Sequence, residues 1–225
     1  MKRKLFFLFP VAVLFALSCK KDKGTPNPPP AADPYMTTTA NSTWQYKLEN
    51  YRTTTTTEYT VKATSGDSSI NGRTYRIYER MDNGSHEYYN ISGSDYYGFR
   101  DLGDNFGGTK LDILYLKDNL AVNDTWEQSF NVTLSGFTIP VKLTNTVKEK
   151  GSTRTVNGVA YSDVIFVETI ISSSLIPASG LTSDIKSYYA PKVGNIETIY
   201  KIHLDYLGFT NDVDTKLTLL SSDLK

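Results

Sequence analysis

From Thr43 to the end of the chain, apolar side chains fall on every second residue, a period that builds strands and gives no helical stripe. Trp44, Tyr46 and Leu48 alternate with polar neighbours, as do Thr57, Tyr59, Val61 and Ala63. Val132 and Leu134, Val141 and Leu143, Val164 and Phe166, and Leu217 and Leu219 repeat the pattern. Such alternation puts one face of each strand on a core and the other in water. Tyr, Thr, Val and Ile, which suit a pleated surface, are plentiful. Turn signals punctuate the strands: Ser65-Gly66-Asp67, Asn71-Gly72, Asn83-Gly84, Gly107-Gly108, Asn157-Gly158 and Asn211-Asp212. Asn-Gly tolerates the positive φ angles of a two-residue hairpin turn. The best helical candidate, Leu116 to Val122, is too short for more than two turns. The pattern predicts an all-β fold with a single antiparallel sheet of roughly ten to twelve strands. A twisted sheet of that size either curls strongly, half-barrel-like, or folds into a sandwich.

A weak internal repeat runs through this pattern. Asn41-Ser42-Thr43-Trp44 matches Asn123-Asp124-Thr125-Trp126, and these segments hold both tryptophans of the chain. Val61-Lys62 matches Val147-Lys148, Asn71-Gly72 and Tyr75 match Asn157-Gly158 and Tyr161, and Tyr88-Tyr89 matches Tyr188-Tyr189. An internal duplication would have copies at about 41–115 and 123–206, although hairpins share turn chemistry and some matches come free.

The N-terminal segment is of a different kind. Lys2, Arg3 and Lys4 precede a 13-residue apolar run, Leu5 to Leu17, and then Ser18 and Cys19. That run is short of the roughly 20 residues a spanning helix needs. A basic start, a short apolar run and a small residue before the cut describe a cleavable signal peptide, residues 1–18. Cys19 is the one cysteine of the chain, so Ala16-Leu17-Ser18-Cys19 reads as a lipobox cut between Ser18 and Cys19. The thiol then carries a diacylglyceryl group, with palmitate among the acyl chains, and two or three chains anchor stably. Residues 19–35 hold five prolines and no apolar periodicity, a tether of lipidated cysteine and extended spacer. Residues 36–225 form the β-rich domain.

Once Lys2, Arg3 and Lys4 leave, 21 basic residues face 24 acidic ones, a balance of −3. That offers no basic stripe for nucleic acid. With its one cysteine acylated, the domain forms no disulfide and holds together by its core.

The opening SCKKDKG resembles the start of lipoproteins of the Bacteroidota. Farther on, DNLAVNDTWEQ, RTVNGVAYSDVIFVE and SYYAPKVGNIETIYKI resemble segments of uncharacterised envelope lipoproteins of that group, over about Asp118 to Ile202. The chain departs from their pattern at Asn123 and Lys192, where glycine is usual. The resemblance implies a bacterial cell-envelope protein, lipid-anchored, in the outer membrane, with either the periplasmic or the surface leaflet open. It also implies a curled antiparallel sheet like the half-barrels of lipoprotein carriers, a fold-level analogy.

Catalytic motifs are missing from the sequence: it has no G-x-S-x-G, H-E-x-x-H, P-loop or dinucleotide fingerprint. His86 beside Glu87, and His203 near Asp205, read as strand positions rather than catalytic pairs. Asp101, Asp104 and Asn105, and separately Asn211, Asp212 and Asp214, offer oxygen atoms to calcium but lack EF-hand spacing. The same residue types make turns, so no metal and no cofactor is assigned. A non-enzymatic binding domain is the expectation.

Sixteen tyrosines and ten phenylalanines exceed what a plain core requires. In each pair, Tyr88-Tyr89, Tyr96-Tyr97 and Tyr188-Tyr189, one ring should face the core and the other outward. With Trp44 they are the candidate ligand contacts. One expectation is a lipid-like ligand in an apolar cleft lined by Trp44, Phe130, Phe137 and Phe166. The alternative is a glycan or protein partner bound by exposed tyrosines, and the plainest is an envelope scaffold.

Overall fold

The alternating segments form twelve strands in a computed structural model that describes residues 33–134 and 136–225. Those of the first half are β1 (Thr43–Asn50), β2 (Thr55–Ile70), β3 (Arg73–Arg80), β4 (His86–Ser92), β5 (Asp95–Asp101) and β6 (Lys110–Lys117). The second half supplies β7 (Thr125–Leu134), β8 (Phe137–Val156), β9 (Val159–Ser173), β10 (Leu181–Ala190), β11 (Gly194–Tyr206) and β12 (Phe209–Asp223). The signal peptide, Cys19 and the tether as far as residue 32 lie outside the described residues. Leu116 and Lys117 close β6, so the helical candidate does not form; among the described residues the helical segment is a single 3₁₀ turn, Asp104–Phe106.

All twelve strands belong to one antiparallel sheet, ordered β6-β5-β4-β3-β2-β1-β12-β11-β10-β9-β8-β7. The chain is thus two six-stranded meanders, and β1 joins them by pairing with β12 from Thr43 opposite Asp223 to Asn50 opposite Thr215. Of the two expected outcomes the sheet takes the curled one. It curls until its edges, β6 and β7, meet, and the result is a nearly closed barrel.

No backbone ladder crosses that seam; side chains cross it instead. The Leu114 amide donates to Gln128 Oε1 (2.7 Å), and Gln128 Nε2 donates to the Asp112 carbonyl (3.2 Å). Trp126 Nε1 donates to the Leu114 carbonyl (2.9 Å), and the Thr133 amide to Thr109 Oγ1 (3.2 Å). Free N–H and C=O groups on edge strands would template pairing with another chain; along this line those of Asp112, Leu114 and Thr133 are met by the side chains of Gln128, Trp126 and Thr109.

The repeated sequence segments occupy corresponding places in the two meanders. Asn41 and Asn123 both take left-handed φ angles, 70° and 73°, as the chain swings into β1 and β7. The Asn41 amide donates to the Ala63 carbonyl (2.8 Å), and the Asn123 amide to that of Val147 (2.7 Å). Ala63, rather than the sequence-matched Val61, is therefore the positional counterpart of Val147. Asn71-Gly72 and Asn157-Gly158 make matching two-residue turns, with φ of 51° and 78° in the first and 48° and 79° in the second. Two turn expectations fail. Ser65-Gly66-Asp67 is a bulge inside β2, and Asn211-Asp212 lies inside β12, whose hairpin turns at Leu207-Gly208. Register decides both: Asn211 pairs with Leu204, which leaves the turn to the two residues beyond Tyr206.

Inward side chains seal the barrel at one end and narrow it at the other. At one end Trp44, Tyr78, Tyr96, Trp126 and Leu219 pack with Met36. Residues 34–37 plug this end: the Tyr35 amide donates to the Tyr96 hydroxyl (2.9 Å), and the Lys192 amide to the Pro34 carbonyl (2.6 Å). Thr37 O accepts from the Tyr78 hydroxyl (2.6 Å). Pro34 and Tyr35 thus belong to the barrel, and the expected tether boundary at residue 35 moves back. At the other end Leu134, Ile139, Ile176 and Leu204 pack with Phe106 and Phe209. Gln128→Ala should remove two seam bonds and destabilise the fold by about 1–3 kcal/mol. Amide exchange should quicken at Leu114 but not at the centre of β10–β11. Unchanged Leu114 exchange would show that the seam is held another way.

Candidate functional site

Beyond the plugged end the barrel holds a cavity of about 830 Å³, within the roughly 300–1,000 Å³ range of small-molecule sites. Strand alternation produces it: Tyr46 and Leu48 on β1, Tyr59 on β2, and Leu217 on β12 all point inward. The two meanders line it differently. The first contributes a tyrosine wall of Tyr46, Tyr59, Tyr78, Tyr89 and Tyr115. The second contributes an aliphatic wall that includes Leu134, Val141, Leu143, Ile171, Ile185 and Ile202. Tyr189 and Tyr200 complete the polar side.

The tyrosine rings hold one another in place. Tyr78 meets Tyr89 edge-on at 5.0 Å, Tyr89 meets Tyr115 at 6.1 Å, and Tyr115 lies 5.5 Å from Tyr189. Several hydroxyls are committed: Tyr46 donates to the Asn195 carbonyl (3.0 Å) and Tyr115 to Met36 Sδ (3.3 Å). Burial pushes the Tyr59 hydroxyl up to about 12 and lifts those of Tyr46, Tyr89 and Tyr115 well above the ordinary value of 10. The phenols stay neutral at any physiological pH.

One cation sits in this wall. On β5, Tyr96, Gly98 and Arg100 share the inward face, and a Cβ on Gly98 would lie 3.5 Å from Arg100 Nη2. Arg100 Nη2 donates to the Tyr89 hydroxyl (2.9 Å), and Nη1 to the Phe99 carbonyl (3.0 Å). Tyr89 in turn donates to Glu87 Oε2 (2.6 Å). Among the described residues no carboxylate oxygen lies within 4.0 Å of the Arg100 guanidinium, and Glu87 reaches it through Tyr89. Burial opposes the Arg100 charge, but Tyr89 and Glu87 beside it outweigh burial and raise its pKa above the ordinary arginine value.

His86 and Asp101, both exposed, and Asn211 also line the cavity, which therefore reaches solvent at the end where β3–β4, β5–β6 and β11–β12 turn. Loops at this end carry exposed apolar residues, one each: Tyr51, Met81, Phe137, Leu175 and Leu207.

The sequence candidates scatter over three environments. Trp44, Tyr88, Tyr89 and Tyr189 line the cavity, as does Phe130. Tyr96 is fully buried below it and donates to Asp118 Oδ2 (2.7 Å). Tyr97 and Tyr188 pack on other partners, and so does the Tyr88 ring at the cavity's edge. Tyr88 meets Phe99 edge-on at 5.9 Å, Tyr97 lies 3.4 Å beneath the Arg73 guanidinium, and Tyr188 stacks on Phe166 at 4.6 Å under Arg154. Tyr88 and Tyr97 are half-buried and Tyr188 is buried, so these residues make no flat exposed patch. Tyr188 is covered because the long β8–β9 hairpin folds back over the sheet: Glu197 takes Arg154 and Lys216 (3.0 Å), and Asn157 Nδ2 donates to the Leu220 carbonyl (3.1 Å). Two expected cleft residues are misplaced as well. Phe137 is exposed at a loop tip, and Phe166 belongs to the Tyr188 stack.

His203 pairs across the strands with Asp212 (2.6 Å), not with Asp205, and Arg52 holds the other Asp212 oxygen (2.9 Å). The hydrogen bond from His203 comes first among the causes that hold the Asp212 carboxyl below its usual value. Asp101 Oδ1 accepts from the Gly103 amide (2.9 Å), as in a turn. Sequence reasoning overlooked Arg100, Tyr59, Tyr115 and Tyr200. A signal was present: with Tyr96 facing inward, period two carries Gly98 and Arg100 to the same face, a charge in a core stripe.

No protein-family model and no curated protein matches the chain. Two solved structures are similar in shape. One is a provisionally described lipoprotein from Parabacteroides distasonis ATCC 8503, at 10% identity and a TM-score of 0.49, covering 85% of this chain and 99% of that one. The other is a provisionally described exported protein with a YmcC-like fold from Bacteroides fragilis NCTC 9343, at 7% identity and a TM-score of 0.47, with the same coverage. Likeness of this order fixes no role for the chain.

The buried phenols predict an alkaline limit to stability. Their pKa values are raised by folding, so their contribution is complete below the unfolded value of about 10 and is lost as pH rises through 10 toward 12 and beyond. Phenolate absorbance should show part of the sixteen tyrosines titrating near pH 10 and the rest in a later step that coincides with loss of sheet circular dichroism. A single smooth titration near pH 10 with the sheet intact would contradict this placement.

Proposed function

We propose that this chain is a lipid-anchored protein of the bacterial cell envelope whose barrel binds a lipid-like ligand without transforming it. The observation that carries the reading is the mixed lining of the cavity: most of its aliphatic side chains come from β7–β12, most of its tyrosines and its one guanidinium from β1–β6, and its volume is about 830 Å³. An amphiphile matches such a lining, while a sugar would leave the aliphatic wall unsatisfied. The lipobox at Cys19 supports the anchor, and the proline-rich segment behind it supports a spacer between membrane and barrel. The exposed apolar residues at the loop end support exchange of an apolar ligand with a membrane at that end. Outer-membrane residence follows from the resemblance to Bacteroidota envelope lipoproteins.

One experiment tests anchor and cargo together: mass spectrometry of the chain purified from membranes, first native, then denatured. The denatured mass should begin at Cys19 and carry a diacylglyceryl group, and a stoichiometric lipid should be released only on denaturation. A chain that is unacylated at Cys19 contradicts the anchor, and an empty barrel contradicts the cargo.

A further inference from the structure

The cavity holds a charge that the fold itself leaves half-used. A guanidinium has five N–H donors, and Arg100 commits two of them, to the Tyr89 hydroxyl and to the Phe99 carbonyl. Among the described residues it has no carboxylate within ion-pair distance. Holding a cation in an apolar enclosure is costly unless it is paired. The three remaining donors have the fork geometry that matches a carboxylate or phosphate.

Its surroundings are arranged around that role. Glu87 accepts from Tyr89 and so fixes the hydroxyl that orients Arg100, without occupying the guanidinium itself. Gly98, two residues away on the same strand face, lies directly under the guanidinium, where a Cβ would stand 3.5 Å from Nη2. Leu143, Ile171 and Ile202, from β8, β9 and β11, line the same cavity and offer no hydrogen-bonding side chain, while Tyr189 and Tyr200 reach in from that half as well. One chamber thus holds both a charge and an aliphatic surface.

From this geometry we infer that the ligand is an amphiphile with an anionic head group, a carboxylate or phosphate monoester, held by Arg100 with its aliphatic chain against the β7–β12 wall. The inference rests on the lipid-binding reading above and adds the charge and the orientation of the ligand. Arg100 and Glu87 act as a pair, the first binding and the second positioning through Tyr89.

The test is titration of the purified full-length protein with palmitate and with hexadecanol, which has the same chain length and no charge. Dodecyl phosphate against dodecanol serves as the phosphate arm. The wild-type protein should bind at least one anion of these pairs ten-fold or more tightly than the matching alcohol. Arg100→Gln should abolish that preference by weakening the anions to the level of the matching alcohols, and Arg100→Lys should keep part of it. Equal binding of acid and alcohol by the wild-type protein would overturn the head-group assignment and leave the lipid-binding reading standing. No binding of any of the four would overturn both. The wild-type comparison decides even if a variant fails to fold, and a preference that survives in a folded Arg100→Gln protein would move the anion site elsewhere.

Discussion

Pairing of β1 with β12 is the contact on which the rest of the barrel depends. It joins strands from opposite ends of the described chain, and eight residues of β1 take part in it. Each meander alone is an open sheet with an apolar face. Joined at β1 and β12, they share one inside, and curling brings β6 to β7. The seam there closes through Gln128, Trp126 and Thr109 rather than through a ladder. Neighbouring strands are therefore joined by backbone ladders all round the ring except at one side-chain zipper.

That closure explains why the interior is two-sided. A barrel built from two unlike meanders inherits the inward stripe of each, richer in tyrosine from one and in branched aliphatics from the other. Twelve strands also enclose more space than these side chains fill, since interiors wider than small barrels leave room for a ligand. One end, by contrast, is filled by Trp44, Tyr96 and Trp126 with the 34–37 plug, and Phe106, Ile176 and Phe209 narrow the other. Packing at the ends and space in the middle are consequences of the same alternation.

Much of this was legible in the residues. The period of two in segments such as Trp44-Tyr46-Leu48 announced strands, and Asn71-Gly72 and Asn157-Gly158 announced hairpins that the backbone makes with matching φ angles. Harder to read was anything set by pairing partners far away in the chain. Tyr188 looked like an outward ring free to meet a ligand, but the tip of β8–β9 folds back and covers it with Arg154. Phe137 looked like a core residue and is exposed at the start of β8, where the β7–β8 hairpin turns, while its partner Leu134 packs with Ile139, Ile176 and Leu204. Arg100 was hidden in plain sequence: its parity with Tyr96 marked it as inward, yet a charge on a core face is set aside by any reading that sorts residues by polarity first.

The central claim is that the space inside the barrel is a chamber for one amphiphile, oriented by Arg100. The most direct measurement is a crystal structure of the protein isolated from its own membranes. The account predicts continuous elongated density between the two walls, with its polar end at hydrogen-bond distance from the Arg100 guanidinium. A chamber that holds only ordered water, or side chains collapsed to fill it, would contradict the claim.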